Sequence, residues 1–142
     1  MAYTMTDRQA RTFLSEGTRT GKLATVRADG SPHVAPVWFI LDGDDVVFTT
    51  GASTAKGKAL LRDPRAAFVV DLEAPPYGFV LVEGSVSIST DPDEMLLLAT
   101  QIAGRYVDEE LAEQFGARNA GEGELLVRLR PAKITAFGDM IG

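Results

Sequence analysis

With 142 residues, 45% hydrophobic and 24% charged, the chain has the length and composition of one globular domain, and no apolar run approaches the ~20 residues of a membrane-spanning helix. Its net charge of −6 argues against a general nucleic-acid binder, which carries a basic stripe. The absence of cysteine excludes disulfides, thiolate metal sites and a cysteine nucleophile, and the single histidine, His33, excludes a multi-histidine metal centre.

Met1–Asp7 has no basic segment followed by an apolar core, so no secretory signal is expected, and the lack of cysteine fits a cytoplasmic protein. From Asp7 to Glu16, Ala10, Phe13 and Leu14 recur at helical spacing behind Thr6 as a cap, which predicts a short helix ended by Gly17. Lys22 to Arg27 reads as a strand. Ala28-Asp29-Gly30-Ser31 reads as a hairpin turn, and Pro32 to Leu41 as a second strand interrupted at Pro36. Asp42-Gly43-Asp44-Asp45 is a second turn, followed by a strand over Val46–Thr50 and a helix over Ser53–Arg62 that Asp63-Pro64 stops.

Ala66–Leu72 and Phe79–Ser89 read as further strands, the latter bent at Gly84, joined by the loop Ala74-Pro75-Pro76-Tyr77-Gly78. A helix opens at Asp91 as cap, with Pro92 first and Glu94 in a capping box, and aligns Met95, Leu98, Ala99, Ile102 and Tyr106 on one face. Asp108–Asn119 forms another helix. Glu124–Leu129 and Lys133–Phe137 form two last strands hinged at Arg130-Pro131. Short antiparallel strands with helices at the edges predict a mainly β, α+β fold: a small barrel within a single domain, residues 1–142, with the first helix over one mouth.

Val34–Ile40, Phe68–Val70 and Phe79–Val82 are apolar on both faces. A barrel strand has one face outside, and the helices are too few to cover all of it, which predicts a homodimer.

The stretch from Val46 to Arg65 carries the chemistry. Ser53 or Thr54 caps a helix start that offers free N–H groups and partial positive charge, and Lys56, Lys58 and Arg62 add cations on an acidic background. That is what a phosphate needs, although the same residues also read as an ordinary solvated helix. Neither a Walker sequence nor a Gly-x-Gly-x-x-Gly fingerprint occurs. Ser31, His33 and Asp29 lack a nucleophile elbow, which leaves His33 as a barrel-surface residue or a ligand-edge hydrogen bonder. Glu83 reads as outward-facing or as a partner for Arg128 or Arg130, and Trp38 and Tyr77 read either as ring platforms or as core and interface aromatics.

The segment Thr20-Gly21-Lys22-Leu23-Ala24-Thr25-Val26-Arg27-Ala28-Asp29-Gly30-Ser31-Pro32-His33-Val34-Ala35-Pro36-Val37-Trp38-Phe39 resembles the start of the pyridoxamine 5′-phosphate oxidase-like split β-barrels, most of all their actinobacterial branch that uses the deazaflavin coenzyme F420. Phe48-Thr49-Thr50, Lys56-Gly57-Lys58, Arg62-Asp63-Pro64-Arg65, Glu83-Gly84, Leu125–Arg128 and Pro131-Ala132-Lys133 extend the resemblance from Phe13 to Phe137. The resemblance implies a homodimer with two flavin-type sites at the subunit interface and hydride transfer to a small flat organic substrate. By position, Lys56 would hold the cofactor phosphate, helped by Ser53, Thr54, Lys58 and Arg62. Pro36, Val37, Trp38, Thr49 and Thr50 would line the ring and ribityl chain, with Tyr77 and Gly78 reaching in from the partner. The cofactor carries the chemistry, so no side chain is expected as an essential acid or base. The long C-terminal segment rich in arginine and tryptophan of true pyridoxamine phosphate oxidases has no counterpart after Ala136, which turns the expectation away from that substrate. F420 is the expected cofactor, with FMN or a non-catalytic carrier role as alternatives. No nucleic acid, membrane or metal is expected.

Overall fold

Tight turns organise the first half of the chain. The computed structural model, covering residues 1–142, contains in order β1 (Tyr3–Thr4), α1 (Asp7–Ser15), β2 (Gly21–Val26), β3 (Pro32–Val37), β4 (Ile40–Asp42), β5 (Asp45–Gly51), α2 (Ala55–Arg62), β6 (Arg65–Leu72), β7 (Gly78–Ser89), α3 (Pro92–Tyr106), α4 (Glu109–Asn119) and β8 (Glu124–Gly138). Gly30 and Gly43 take positive φ (87° and 61°) at the β2–β3 and β4–β5 turns, a backbone state that costs glycine least. Thr6 caps α1, sharing a reciprocal pair of bonds with Gln9, and Asp108 caps α4. Asp91 caps α3 through the Asp93 N–H rather than in a box with Glu94, whose carboxylate meets Arg128 at 3.3 Å.

The strands form one antiparallel sheet in the order β3-β2-β6-β7-β8-β5-β4, with β1 added to the end of β8. β3 and β4 are the two ends of that order, yet only Trp38 and Phe39 separate them in the chain. The sheet therefore closes into a barrel through one bent segment whose first half pairs with β2 and whose second half pairs with β5.

Two expectations about the strands need correction. The second strand breaks at Trp38–Phe39, not at Pro36. Arg27 N–H bonds the Ser31 carbonyl at 2.9 Å, so odd-numbered residues of β3 face β2, while Pro32 and Pro36 turn their missing N–H groups to the free edge. Phe39 leaves the ladder because its N–H bonds the Tyr106 hydroxyl (3.2 Å) and its carbonyl accepts from Arg105 (2.9 Å). The last two strands are one, β8. The expected hinge is a bulge in which Glu83 pairs with Lys133 and Gly84 with Pro131. Gly84 is required there, since a Cβ would overlap the Arg130 carbonyl. Of the two readings of Glu83, the outward-facing one holds: Glu83 is exposed and takes no arginine partner. Arg128 binds Asp42 (2.7 Å) and Glu94 instead.

The barrel interior holds Leu23, Phe39, Phe48, Phe68, Val70, Val80, Val82, Val127 and Leu129, all fully buried, with Ala10 and Leu14 of α1 over one mouth. A second cluster forms where α3 lays Met95, Leu98 and Ile102 on Val47 and Leu126 of the outer face. The helices thus cover the β4–β5–β8 side. On the β3–β2 side the outer face is bare: Val34 is 67% exposed and Val26 41%.

Tyr106 also donates to the Arg19 carbonyl (3.0 Å) and stacks on Trp38 with ring centroids 5.0 Å apart. Tyr106→Phe is expected to cost about 1–3 kcal/mol in urea unfolding, because the Phe39 N–H loses its acceptor. The emission of Trp38, the only tryptophan, should shift with it.

Candidate functional site

Closure by a bent strand leaves part of the barrel wall open. β4 pairs with β5 only over Asp45–Val47, so the far half of β5, from Phe48 to Gly51, has a free edge, and so does all of β3. By strand alternation the free edge of β3 presents the carbonyls of Pro32, Val34 and Pro36 and one donor, the Val34 N–H. Gly51 turns its carbonyl toward α2, and Thr49, two residues earlier, presents its backbone N–H and C=O to the same side. The split is therefore bounded by two strand edges, with α2 at one end and the Trp38–Phe39 corner at the other.

The seat of α2 is Gly51. Its carbonyl accepts from the Thr54 N–H (3.2 Å) and the Thr54 hydroxyl (2.7 Å). Thr54 is the cap, taking the Gly57 N–H on its hydroxyl at 3.1 Å, and Thr50 lies 3.1 Å from that hydroxyl. Ser53 is exposed and does not cap. Gly57 packs so closely that a Cβ would overlap the Gly51 carbonyl oxygen. Ala55 and Lys56, the first two helical residues, have no intrahelical acceptor for their N–H groups, and Lys56, a half-buried residue, adds a cation in the same turn.

The expected residues divide into three groups. Thr49, Thr50, Ser53, Thr54 and Lys56 come together at the α2 end, and Pro36 stands on the facing edge. Val37 and Thr50 point their side chains inward, 7% and 4% exposed, and the backbone of Val37 is turned to Gly21 of β2, so Val37 offers nothing to the split. Trp38 is engaged with Tyr106 and, edge-on at 5.8 Å, Phe115, and so belongs to the helix-covered cluster. Lys58 is exposed on α2. Arg62 lies ~9 Å along the helix from Lys56 and bonds the Val26 carbonyl, away from the free helix start. Tyr77 precedes β7 and Gly78 opens it at the far end of the barrel, where Tyr77 (φ 55°) borders a cleft of about 370 Å³ with Tyr3, Arg8 and Phe13. Another cleft, of about 560 Å³, lies between α1 and the β4–β5 turn. His33 faces the barrel interior opposite Thr25, and both the Nδ1 of His33 and the hydroxyl of Thr25 are buried without partners.

Sequence reasoning missed Val34, whose N–H is visible as the sole edge donor only once the register is known, and Glu124. Glu124 stands opposite Gly51, and its Oε1 lies 4.0 Å from where a Gly51 Cβ would sit. Burial pushes its carboxyl up, and Lys56 partly offsets that. At the other end of α2, hydrogen bonds from Arg65 hold Asp63 down to about 2.

The pyridoxamine 5′-phosphate oxidase family profile matches residues 6–137. The chain belongs to that family. Among solved structures, an F420 reductase is 28% identical, with 85% of this chain and 92% of the other covered at a TM-score of 0.68. A conserved hypothetical protein from Mycobacterium tuberculosis superposes with a TM-score of 0.82 over 96% of this chain and 86% of its own, at 23% identity. An FAD-binding protein from Mesorhizobium loti reaches 0.69 at 17% identity, over 97% and 96%. The last two share the fold. The barrel described above is thus the split β-barrel of the family.

Two outcomes follow from the α2 end. Alanine at Gly57 would raise helix propensity by roughly 1 kcal/mol. Gly57→Ala is nonetheless expected to lower the urea midpoint, by ~1–3 kcal/mol of stability, because the added methyl has no room. Glu124 binds its proton more tightly folded than unfolded, so its contribution to stability falls as pH rises from the ordinary carboxylate range through the folded value. Relative to wild type, Glu124→Gln should therefore gain thermal stability between pH 4 and pH 7, by melting followed at both.

Proposed function

We propose that the chain is an oxidoreductase that holds F420 in the split between β3 and β5, phosphate toward α2, and passes hydride to a flat, electron-poor organic molecule. The observation that carries this reading is the α2 start: two N–H groups without intrahelical acceptors and Lys56, at one end of a slot walled by unpaired strand edges. The donor set fits a phosphate, since the free N–H groups, the helix dipole and the ammonium all favour an anion. Family membership and the 28% identity to an F420 reductase support the cofactor class.

In this reading Lys56 and the N–H groups of Ala55 and Lys56 hold the phosphate. Thr54, locked by Gly51 and Thr50, fixes where those donors point. The Val34 and Thr49 N–H groups and the carbonyls of Val34 and Pro36 are the polar edges offered to a ring and its chain. The bound deazaflavin supplies the hydride chemistry. The chain's part is to bind, orient and exclude water, and no side chain along the split is placed as an acid or base for the reacting carbon.

The bare outer face around Val26, Val34 and Pro36 supports a homodimer, with Tyr77 and Gly78 entering the partner's site. A second copy would also shut the open side of the slot. F420 and FMN titrations of the purified protein, followed by ligand fluorescence, test the cofactor. Tighter FMN binding replaces F420 in this reading. Lys56→Ala should weaken cofactor binding by about 1.5–3 kcal/mol, roughly 10- to 100-fold, as loss of one charge-assisted contact does. Unchanged affinity removes Lys56 from the site. Solution mass at micromolar concentration should be that of a dimer.

A further inference from the structure

Glu124 is an unexpected neighbour for an anion site. It opens β8 directly across from Gly51, with its Oε1 on the same small patch as the Thr54 methyl, which lies 3.3 Å from a Gly51 Cβ position. The segment is held in place: Ala52 N–H bonds the Gly123 carbonyl at 2.8 Å, and Glu124 N–H bonds the Gly121 carbonyl at 3.1 Å. None of the chain's ion pairs includes Glu124. Lys56 is the cation whose charge acts on its carboxyl.

We propose that Glu124 selects the charge of the phosphate accepted at α2, admitting a singly charged phosphodiester and disfavouring a doubly charged phosphomonoester. This rests on α2 being the phosphate end of the cofactor site. The fixed charges there are Lys56, roughly half a positive charge from the helix start, and the Glu124 carboxylate. Together they leave about half a positive charge, with the exposed Lys58 adding a solvent-screened one. A phosphomonoester such as that of FMN carries about −1.5 to −2 at neutral pH. The phosphate of F420 is a diester and carries one charge. Repulsion by Glu124 grows with the ligand's charge, so the monoester bears nearly twice the penalty. The gap between a phosphomonoester and a phosphodiester is then built into the strand opposite Gly51 rather than into the ring pocket alone.

The test is equilibrium binding of two probes, FMN and the methyl ester of the deazaflavin riboside 5′-phosphate, a diester with no second anionic group, to the full-length wild type and to Glu124→Gln at pH 7.5. Glu124→Ala serves as a second variant that removes the same charge, and far-UV circular dichroism checks the fold. Both variants are expected to tighten FMN on the order of tenfold and the diester only about threefold, the linear response to charge. Equal gains for both probes, or no gain for FMN, overturn the role of Glu124. A Lys56→Ala control separates the two levels. If that substitution weakens both probes while Glu124→Gln changes neither, the phosphate site stands and the selectivity role falls. If neither probe binds the wild type, the phosphate reading falls and the role of Glu124 with it.

Discussion

Phe39 cannot pair with a neighbouring strand, because both of its backbone polar groups are taken by α3. Its N–H goes to the Tyr106 hydroxyl, and its carbonyl accepts from Arg105. Arg105 also donates to the carbonyls of Leu14 and Gly17 around the end of α1, and its guanidinium lies over the Phe39 ring. Burial pushes the Arg105 guanidinium down, and no carboxylate pairs with it, so backbone carbonyls satisfy its donors. This knot turns one strand through a corner, and the corner lets a single segment serve both edges of the sheet.

The open slot follows from that constraint. A strand divided between two partners cannot zip the whole seam, so β3 and the far half of β5 keep free edges. Free edges invite strand addition, and prolines at 32 and 36 blunt one of them by removing donors. What remains is carbonyl-rich with a single N–H, poor for another strand and suited to a ligand edge. Seating α2 on Gly51 places the only concentrated positive charge of the slot at its end. Barrel closure and the open slot are thus two results of one backbone bend.

Much of this was legible in the chain. The turn glycines, the Thr6 cap, a cap at Ser53 or Thr54, the proline stop after α2 and the Lys56 turn all depend on neighbours a few residues away, and local chemistry carries them. The Arg130-Pro131 hinge was misread because a proline in a strand looks like a break when the facing glycine is unknown. Gly84, nearly fifty residues earlier, supplies the room that turns the break into a bulge. Trp38 offered two readings, ring platform or core aromatic, and stacking on Tyr106 answers how its ring is engaged within one subunit.

The sequence by itself determined the element types, the two-faced apolar strands and the cationic helix start behind a capping serine or threonine, since each follows from spacing and local backbone preference. Tertiary structure alone decided which strand edges stay free, that Arg62 is drawn off to the Val26 carbonyl, and that Glu124 faces Gly51, where the charge of Lys56 acts on its carboxyl. Those contacts join residues tens of positions apart through sheet register, and register is set by how the whole barrel packs, which no local pattern encodes.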